Sequence, residues 1–351
     1  MMQVDTIIIG QGLCGTMLSW HLMKAGQQVL VIDESILYSA TKVASGVINP
    51  VTGRRIVRTW EIELFMPFAV NAYTELGKEL DIHLIDQCNI LDFHATPQNK
   101  IAFSERLPKE TEYLSVVDEK IWEPYFHLLF GVGEIHPCWL IQLQEMLNAF
   151  RKKLTQQNAL IEERFQWEDC IIQPNGVEWK GIKANQIIFC EGTAGITNPY
   201  FELLPYASNK GEALIVSIPD LPRNNIYKQG ISVVPWKDNL FWVGSTYEWK
   251  YEDLNSTQSF LDKTTQQLQN WLKLPFEIVN HIASERPANV ERRPFVGFHP
   301  IQKNIGVFNG TGTKGCSLAP YFAYQLTQHI VNGEPIHPLA DVQRFKNILS
   351  R

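Results

Sequence analysis

Along the chain the spacing of apolar positions changes, and each change predicts an element. Ile7, Ile8 and Ile9 are consecutive β-branched residues, the composition of a short strand buried on both faces. Beyond them Met17, Leu18, Leu22 and Ala25 recur at helical spacing, and Gly26 stands where a left-handed residue ends a helix. "QQVLVID" reads as a second strand. From about residue 60 to 82 the pattern is helical, and "HLIDQCNILDFHAT" with the stretch after it reads as strands and loops. Leu140, Leu143, Met146, Leu147 and Phe150 restart a helix, and "NQIIFCEGTAG" is a buried strand ending in a glycine-bearing turn. "GEALIVSI", "ISVVPW" and "NLFWVGSTY" read as strands, the last two joined by "KDN". "NSTQSFLDKTTQQLQNWLKL" is an amphipathic helix. "IGVFNGTGTKGCSLAPYFAYQLTQHIVNGEP" then gives strand, glycine loop, helix and a stop at Gly333.

The residues between the first strand and helix add chemistry. Gly10-Gln11-Gly12-Leu13-Cys14-Gly15 has the spacing G-x-G-x-x-G. In such a turn Gly10 permits the tight bend, Gly12 lets a pyrophosphate approach the backbone, and Gly15 allows close packing of helix on strand. The helix N-terminus offers unpaired N–H groups and partial positive charge to phosphates, beside Leu13 and Cys14. Asp33, 18 residues after Gly15 and followed by Glu34, ends the second strand, where a carboxylate accepts hydrogen bonds from an adenosine ribose. These features predict a site for an ADP moiety without naming the dinucleotide. The second glycine loop, Gly310-Thr311-Gly312-Thr313-Lys314-Gly315, repeats the design at the other end of the chain. Two such loops suggest a long ligand held at both ends. A nicotinamide cofactor needs only the first; FAD accounts for both.

Composition narrows the class. At 351 residues the chain suggests two domains, continuous or discontinuous in sequence. Hydrophobic content of 45% and charged content of 19% fit a well-packed soluble protein. No run approaches the roughly twenty apolar residues of a membrane helix, and nothing basic precedes Lys24 as a secretory leader requires. A net charge of −6 argues against indiscriminate binding to nucleic acid or anionic lipid. The six cysteines form no C-x-x-C pair, which favours a reduced, cytoplasmic protein. The nine histidines lack ligand spacing, so no metal site is expected.

Four stretches, "IIIGQGLCGTMLSWHLMKAGQQVLVID", "KVASGVINP", "IIFCEGTAG" and "RPANVERRPFVGFHP…GVFNGTGTKGCSLAP", carry a resemblance. The chain resembles the FAD-dependent amine-oxidising family that includes D-amino acid oxidase, glycine oxidase and sarcosine oxidase. The closing stretch is also similar to the flavin domain of a bacterial tRNA wobble-uridine modifying enzyme. The resemblance implies an α/β chain. It has a discontinuous Rossmann-like FAD-binding domain (residues 1–59, 137–205 and 284–351) and a mixed-sheet α+β substrate domain (60–136 and 206–283). It also implies non-covalent FAD, oxygen or quinone as electron acceptor, and a small amine or amino acid as substrate. Two alternatives stay open: a flavoenzyme acting on carboxymethylaminomethyl-uridine in tRNA, and a non-catalytic FAD-binding subunit of a dehydrogenase complex.

By the same resemblance Ala44, Ser45 and Gly46 contact the pyrophosphate or flavin, and Gly192 admits the adenine side of the cofactor or is an ordinary turn. Gly310, Gly312, Thr313, Lys314 and Gly315 face the pyrimidine end of the flavin, where Lys314 adds positive charge or is a solvated loop lysine. Arg286 clamps a substrate carboxylate, or forms a structural salt bridge with Glu285 or Glu291. Tyr247 reaches the pocket from a neighbouring position. Arg292 and Arg293 support the fold. The chain departs from glycine oxidase in having Ser232 where that enzyme has tyrosine and Thr313 where it has arginine. Arg54, Arg55 and Arg58 line a pocket mouth for an acidic substrate, touch RNA phosphates, or form a solvated or ion-paired surface segment. Trp60, Trp236, Trp242 and Trp249 wall an apolar pocket or pack in the core.

Overall fold

The structure, a computed structural model, describes residues 3–351. Its first sheet is built around five parallel strands in the order Leu160–Ile161, Val29–Ile32, Gln3–Ile9, Ile182–Phe189 and Ile305–Asn309. An antiparallel hairpin, Cys170–Gln173 and Gly176–Trp179, extends it, and Phe295–Phe298 pairs antiparallel with Ile305–Asn309. The three consecutive isoleucines are explained by this position. Ile8, Val29, Val31 and Ile188 belong to the core on one face, and Ile7, Ile9, Leu30 and Ile32 to the core on the other. A strand covered on both sides needs no polar alternation.

Helix Leu13–Lys24 follows the first strand and packs on helix Gly315–Asn332 from the far end of the chain. Helix Leu143–Gln156 joins this layer, and so does helix Ile62–Leu80, which lies on Gly315–Asn332. The 60–82 helical pattern therefore sits against the dinucleotide-type sheet's helical layer, although the sequence reading groups residues 60–136 with the substrate side.

The second sheet has eight strands, in the order Glu277–Arg286, Asn209–Ser217, Leu240–Gly244, Ile231–Pro235, Asn225–Gln229, Asn89–Phe93, Val132–Ile135 and Leu114–Val116. All its pairs are antiparallel except Asn225–Gln229 with Asn89–Phe93. "KDN" makes the tight turn between two of these strands: Asp238 and Asn239 both take positive φ, 54° and 58°, as the favoured two-residue hairpin turn requires. One face carries Leu214, Val216, Tyr227, Val233, Phe241 and Val243 against helix Gln258–Trp271. The opposite face looks toward the first sheet across a cavity. The chain is thus a mixed α/β protein with two multi-strand sheets and a cavity between them.

Among the described residues, no helix is long and apolar enough to cross a membrane, and no group of three His, Cys, Asp or Glu side chains gathers as a metal site.

Candidate functional site

The cavity encloses about 840 Å³, toward the upper end of the range for small-molecule sites. It runs from Asp33 and Glu34 past Gly10, Gly12, Leu13 and Cys14 to Gly312, Thr313, Lys314 and Gly315, and its lining includes Ala44, Ser45, Gly192, Tyr247 and Arg286. The two glycine loops, about 300 residues apart in sequence, border one space. Three residues of the sequence reading, Gly15, Gly46 and Gly310, stand behind this wall. A β-carbon on Gly15 would lie 1.9 Å from the Gly10 carbonyl oxygen, and one on Gly46 would lie 2.2 Å from that of Ile141. One on Gly310 would press on Asn289 and the Phe295 ring at 2.9 Å.

At the first glycine loop the backbone is committed to a bend. Gly10 has φ +97°, and a β-carbon there would meet the Cys190 carbonyl oxygen at 2.6 Å. Helix Leu13–Lys24 begins at Gly12 with no side-chain cap, which leaves part of its N-terminal dipole to an outside anion. Thr41 Oγ1 accepts from Leu13 N–H at 3.1 Å. The Asp33 carboxylate accepts from Gln11 N–H (2.8 Å), Ser35 N–H (2.9 Å) and Arg151 (2.7 Å). Arg151 also donates to Gln11 Oε1 and pairs with Glu162 at 2.8 Å. Uncapped helix, glycine turn and compensated acid form a cradle fitted to an ADP moiety. An elongated cavity continuing to the second glycine loop fits a dinucleotide as long as FAD.

Arg151 is absent from the sequence reading. It occupies the position after Leu143 and Leu147 in an i, i+4, i+8 series, and all three line the cavity. A charge continuing an otherwise apolar helix face was the available signal. Glu191 was also missed. It lies between a buried strand and Gly192, lines the cavity, and accepts only from Asn198 Nδ2 at 2.8 Å. Burial raises its pKa to about 7, and the Asn198 hydrogen bond opposes that rise.

The other end has different electrostatics. Arg286 closes the strand Glu277–Arg286 and donates to Asn209 Oδ1 (2.7 Å), Ser245 Oγ (2.7 Å) and the Thr246 carbonyl (3.1 Å). Its guanidinium lies 4.7 Å from the Tyr247 ring centroid. Every one of these partners is neutral. Glu285 instead accepts from Tyr251 and Glu291 pairs with Arg344, so the structural salt bridge weighed for Arg286 is not formed. Burial lowers its pKa, against the raising effect of Tyr247.

Lys314 donates to Asn49 Oδ1 at 2.8 Å. Burial brings its pKa down to about 8, with Cys138 and Cys316 opposing the shift. It is not a solvated loop lysine. Trp242 lines the cavity and donates from Nε1 to the Val43 carbonyl at 2.9 Å, joining the second sheet to the short helix Ala40–Val43. Ser232 and Thr313 also line the cavity.

The remaining residues lie elsewhere. Arg58 binds Glu110 and Glu63, each at 2.6 Å, and is an ion-paired surface residue. Arg54 and Arg55 are exposed and outside the lining, although the adjacent Thr52 and Gly53 belong to it. Trp60 stacks on Phe322 and lies under Arg293, whose guanidinium is 4.0 Å from the ring centroid. Trp249 is exposed beside Tyr247, and Trp236 accepts from Arg223 through its carbonyl.

Known proteins share this architecture. The glycine oxidase of Bacillus subtilis (strain 168) is 23% identical over 368 aligned positions, covering 94% of each chain. The crystal structure of glycine oxidase from Geobacillus kaustophilus superposes with a TM-score of 0.80 at 17% identity, covering 97% of this chain and 98% of that one. L-proline dehydrogenase from P. horikoshii superposes with a TM-score of 0.78 at 17% identity, covering 99% and 98%. These structural likenesses establish the fold. The model of the family described as FAD dependent oxidoreductase matches residues 5–329, nearly the whole chain, and this protein belongs to that family of FAD-dependent enzymes.

Proposed function

We propose that the enzyme oxidises the C–N bond of a small amine or amino acid, of the glycine, D-amino acid or N-methyl amino acid type, and that water then hydrolyses the resulting imine. The observation supporting this is Arg286: a cation in the cavity wall, fixed by three neutral acceptors and lacking an acidic partner. A substrate carboxylate is the natural complement of a planar guanidinium. Holding that carboxylate fixes the direction of the neighbouring C–H and C–N bonds, and such orientation supplies a large part of the rate. FAD, when bound, supplies the non-covalent acceptor for the hydride, at flavin N5.

The chain's own residues then divide the work. The turn from Gly10 to Gly15 and the uncapped helix hold the pyrophosphate, and Asp33 with Glu34 receives the ribose. Ala44, Ser45, Gly46 and Gly192 shape the middle of the channel. The loop from Gly310 to Gly315 presents its backbone, and Lys314 its ammonium, where negative charge develops on the ring system. Asn49 holds that ammonium in place, and Tyr247 covers the guanidinium of Arg286 from outside. Trp242, Val234 and Ile226 give the reacting space an apolar wall that limits water. No protein base is assigned, and the substrate nitrogen enters as the free amine.

Anaerobic mixing of the flavin-loaded protein with glycine, D-amino acids and N-methyl amino acids tests this reading. Loss of the oxidised-flavin absorbance with at least one of them is the expected result. Bleaching only by RNA carrying carboxymethylaminomethyl-uridine would replace the small-molecule substrate with tRNA. No bleaching by any amine would overturn the proposal. Reoxidation by oxygen or by a quinone then identifies the acceptor.

A further inference from the structure

The cavity face of the second sheet has a register that bears on substrate size. Ile282, Ala213, Gly244, Ser232 and Lys228 pair successively across five adjacent strands, and all five line the cavity. Arg286 lies on the same strand and face as Ile282, two alternate positions further on, so Arg286 and Lys228 occupy opposite corners of one floor. The floor between them is built of small residues, Gly211, Ala213, Gly244, Ser232 and Ser284. The guanidinium rests over Gly211, where a β-carbon would come within 2.0 Å of Arg286 Nη2. From the strand of Gly211 to that of Lys228 is three strand spacings, roughly 14 Å. No long side chain rises from that span, and glycine held at Arg286 would leave most of it unfilled. Trp242, Val234 and Ile226 form its apolar flank.

The far corner is cationic. Lys228 Nζ lies 3.3 Å from Asp92 Oδ1, with its side chain 30% exposed. An ammonium has three donors, so this contact leaves two unused. Lys314 arrives from the tail loop with only the Asn49 amide as partner. Lys314 and Lys228 both line the cavity, and burial lowers the pKa of Lys314, with Lys228 adding a smaller effect in the same direction. Among the described residues Asp92 is the carboxylate paired with Lys228, and no carboxylate is paired with Lys314. Like charges brought together this way are relieved by a further anion.

We infer that Lys228 receives a second anionic group of the substrate, so that the amine oxidised here carries a substituent ending in a carboxylate. This deepens the reading of Arg286 as the clamp for the first carboxylate and rests on it. The reacting carbon then lies near the Arg286 end, and the substituent runs over the Gly244–Ser232 floor toward Lys228. Lys228 thereby determines specificity without touching the reacting atoms.

The test uses the flavin-loaded enzyme and racemic aspartate, glutamate and 2-aminoadipate, with asparagine and glutamine as neutral counterparts and glycine as reference. At least one acidic member is expected to have a KM tenfold or more below its neutral counterpart. Lys228→Met is expected to erase that preference while leaving the glycine KM within twofold, and Lys228→Arg to restore it. Equal handling of acidic and neutral members by the native enzyme would overturn the inference, as would a Lys228→Met effect as large on glycine as on the acids. A second measurement needs no turnover: glutarate should perturb the visible flavin spectrum at a concentration at least tenfold lower than butyrate, and Lys228→Met should abolish the difference. Absence of any glutarate advantage would also overturn it. Bleaching by no amine, with the glutarate advantage intact, would remove the proposed reaction and keep the anion site.

Discussion

The two ends of the cavity are both rich in charge but balance it differently. At the Asp33 end, acid and base are matched: Asp33 and Glu162 share Arg151, and Gln11 closes the circle. At the Arg286 end, the guanidinium has only neutral acceptors, and Lys314 only an amide. Matched charges hold a shape whether or not a ligand is bound. An unmatched cation in a half-buried wall carries a desolvation cost that an arriving anion offsets. In the proposed function the first end is architecture for a resident cofactor, and the second is the one left poised for an exchanging anion.

Arg286→Ala should break this contrast most sharply. Loss of a charge-assisted, two-pronged contact is expected to raise the amine KM about a hundredfold, on the order of 3 kcal/mol. FAD content should hold, and Tm should fall by no more than a few degrees, because Asn209 Oδ1 and Ser245 Oγ lose a donor but no buried acid is orphaned. Stopped-flow titration against flavin absorbance measures the first, and thermal unfolding the second. Concurrent loss of FAD would mean that this end is architectural too.

Arg151→Ala is the reciprocal change. It leaves Asp33 without its cation in a partly exposed setting, so the effect is discounted for solvent screening to about 1–2 kcal/mol. Tm is expected to fall by a few degrees and the FAD dissociation constant to rise about tenfold, with the KM of the reloaded enzyme unchanged. A KM that moved as far as FAD affinity would erase the distinction between the ends.

Glu191 supplies the opposite case, an acid without a cation, and its effect depends on pH. Its folded-state pKa is raised from the usual 4.5 to about 7, so the native state retains a proton that the unfolded chain has released. That stability is fully present below about pH 4.5 and is lost as pH rises through 7. Between pH 5 and 8 the Tm of the cofactor-free protein should drop relative to that of Glu191→Gln. Parallel profiles would show that Glu191 is matched by a group not identified above. The smallest effect is expected from the double change Arg54→Ala and Arg55→Ala. These exposed side chains lie outside the lining, and KM should stay within twofold at 0.15 M salt.

How much of this was legible in sequence follows the range of the interactions. Gly10, Gly12 and the uncapped helix were readable because the turn is made within six residues and its glycines answer local backbone demands. The turn at Asp238 and Asn239 and the helix from residue 62 were equally local. Arg151 was not, since its partner Asp33 lies 118 residues away. Lys228 gave no signal either: its place opposite Arg286 depends on the register of five strands. Arg58 followed the same loop as Arg54 and Arg55, yet only tertiary contacts with Glu110 and Glu63 set it apart.

By itself the sequence determined the strand–glycine–helix units at both ends, the α/β class and the long-dinucleotide character of the ligand. Backbone conformation and hydrophobic periodicity are properties of neighbouring residues, and they survive without knowledge of distant ones. Only the tertiary structure decided which charges are paired and which are free, because pairing depends on segments that meet through folding. That difference separates the paired end of the cavity at Asp33 from the unpaired end at Arg286.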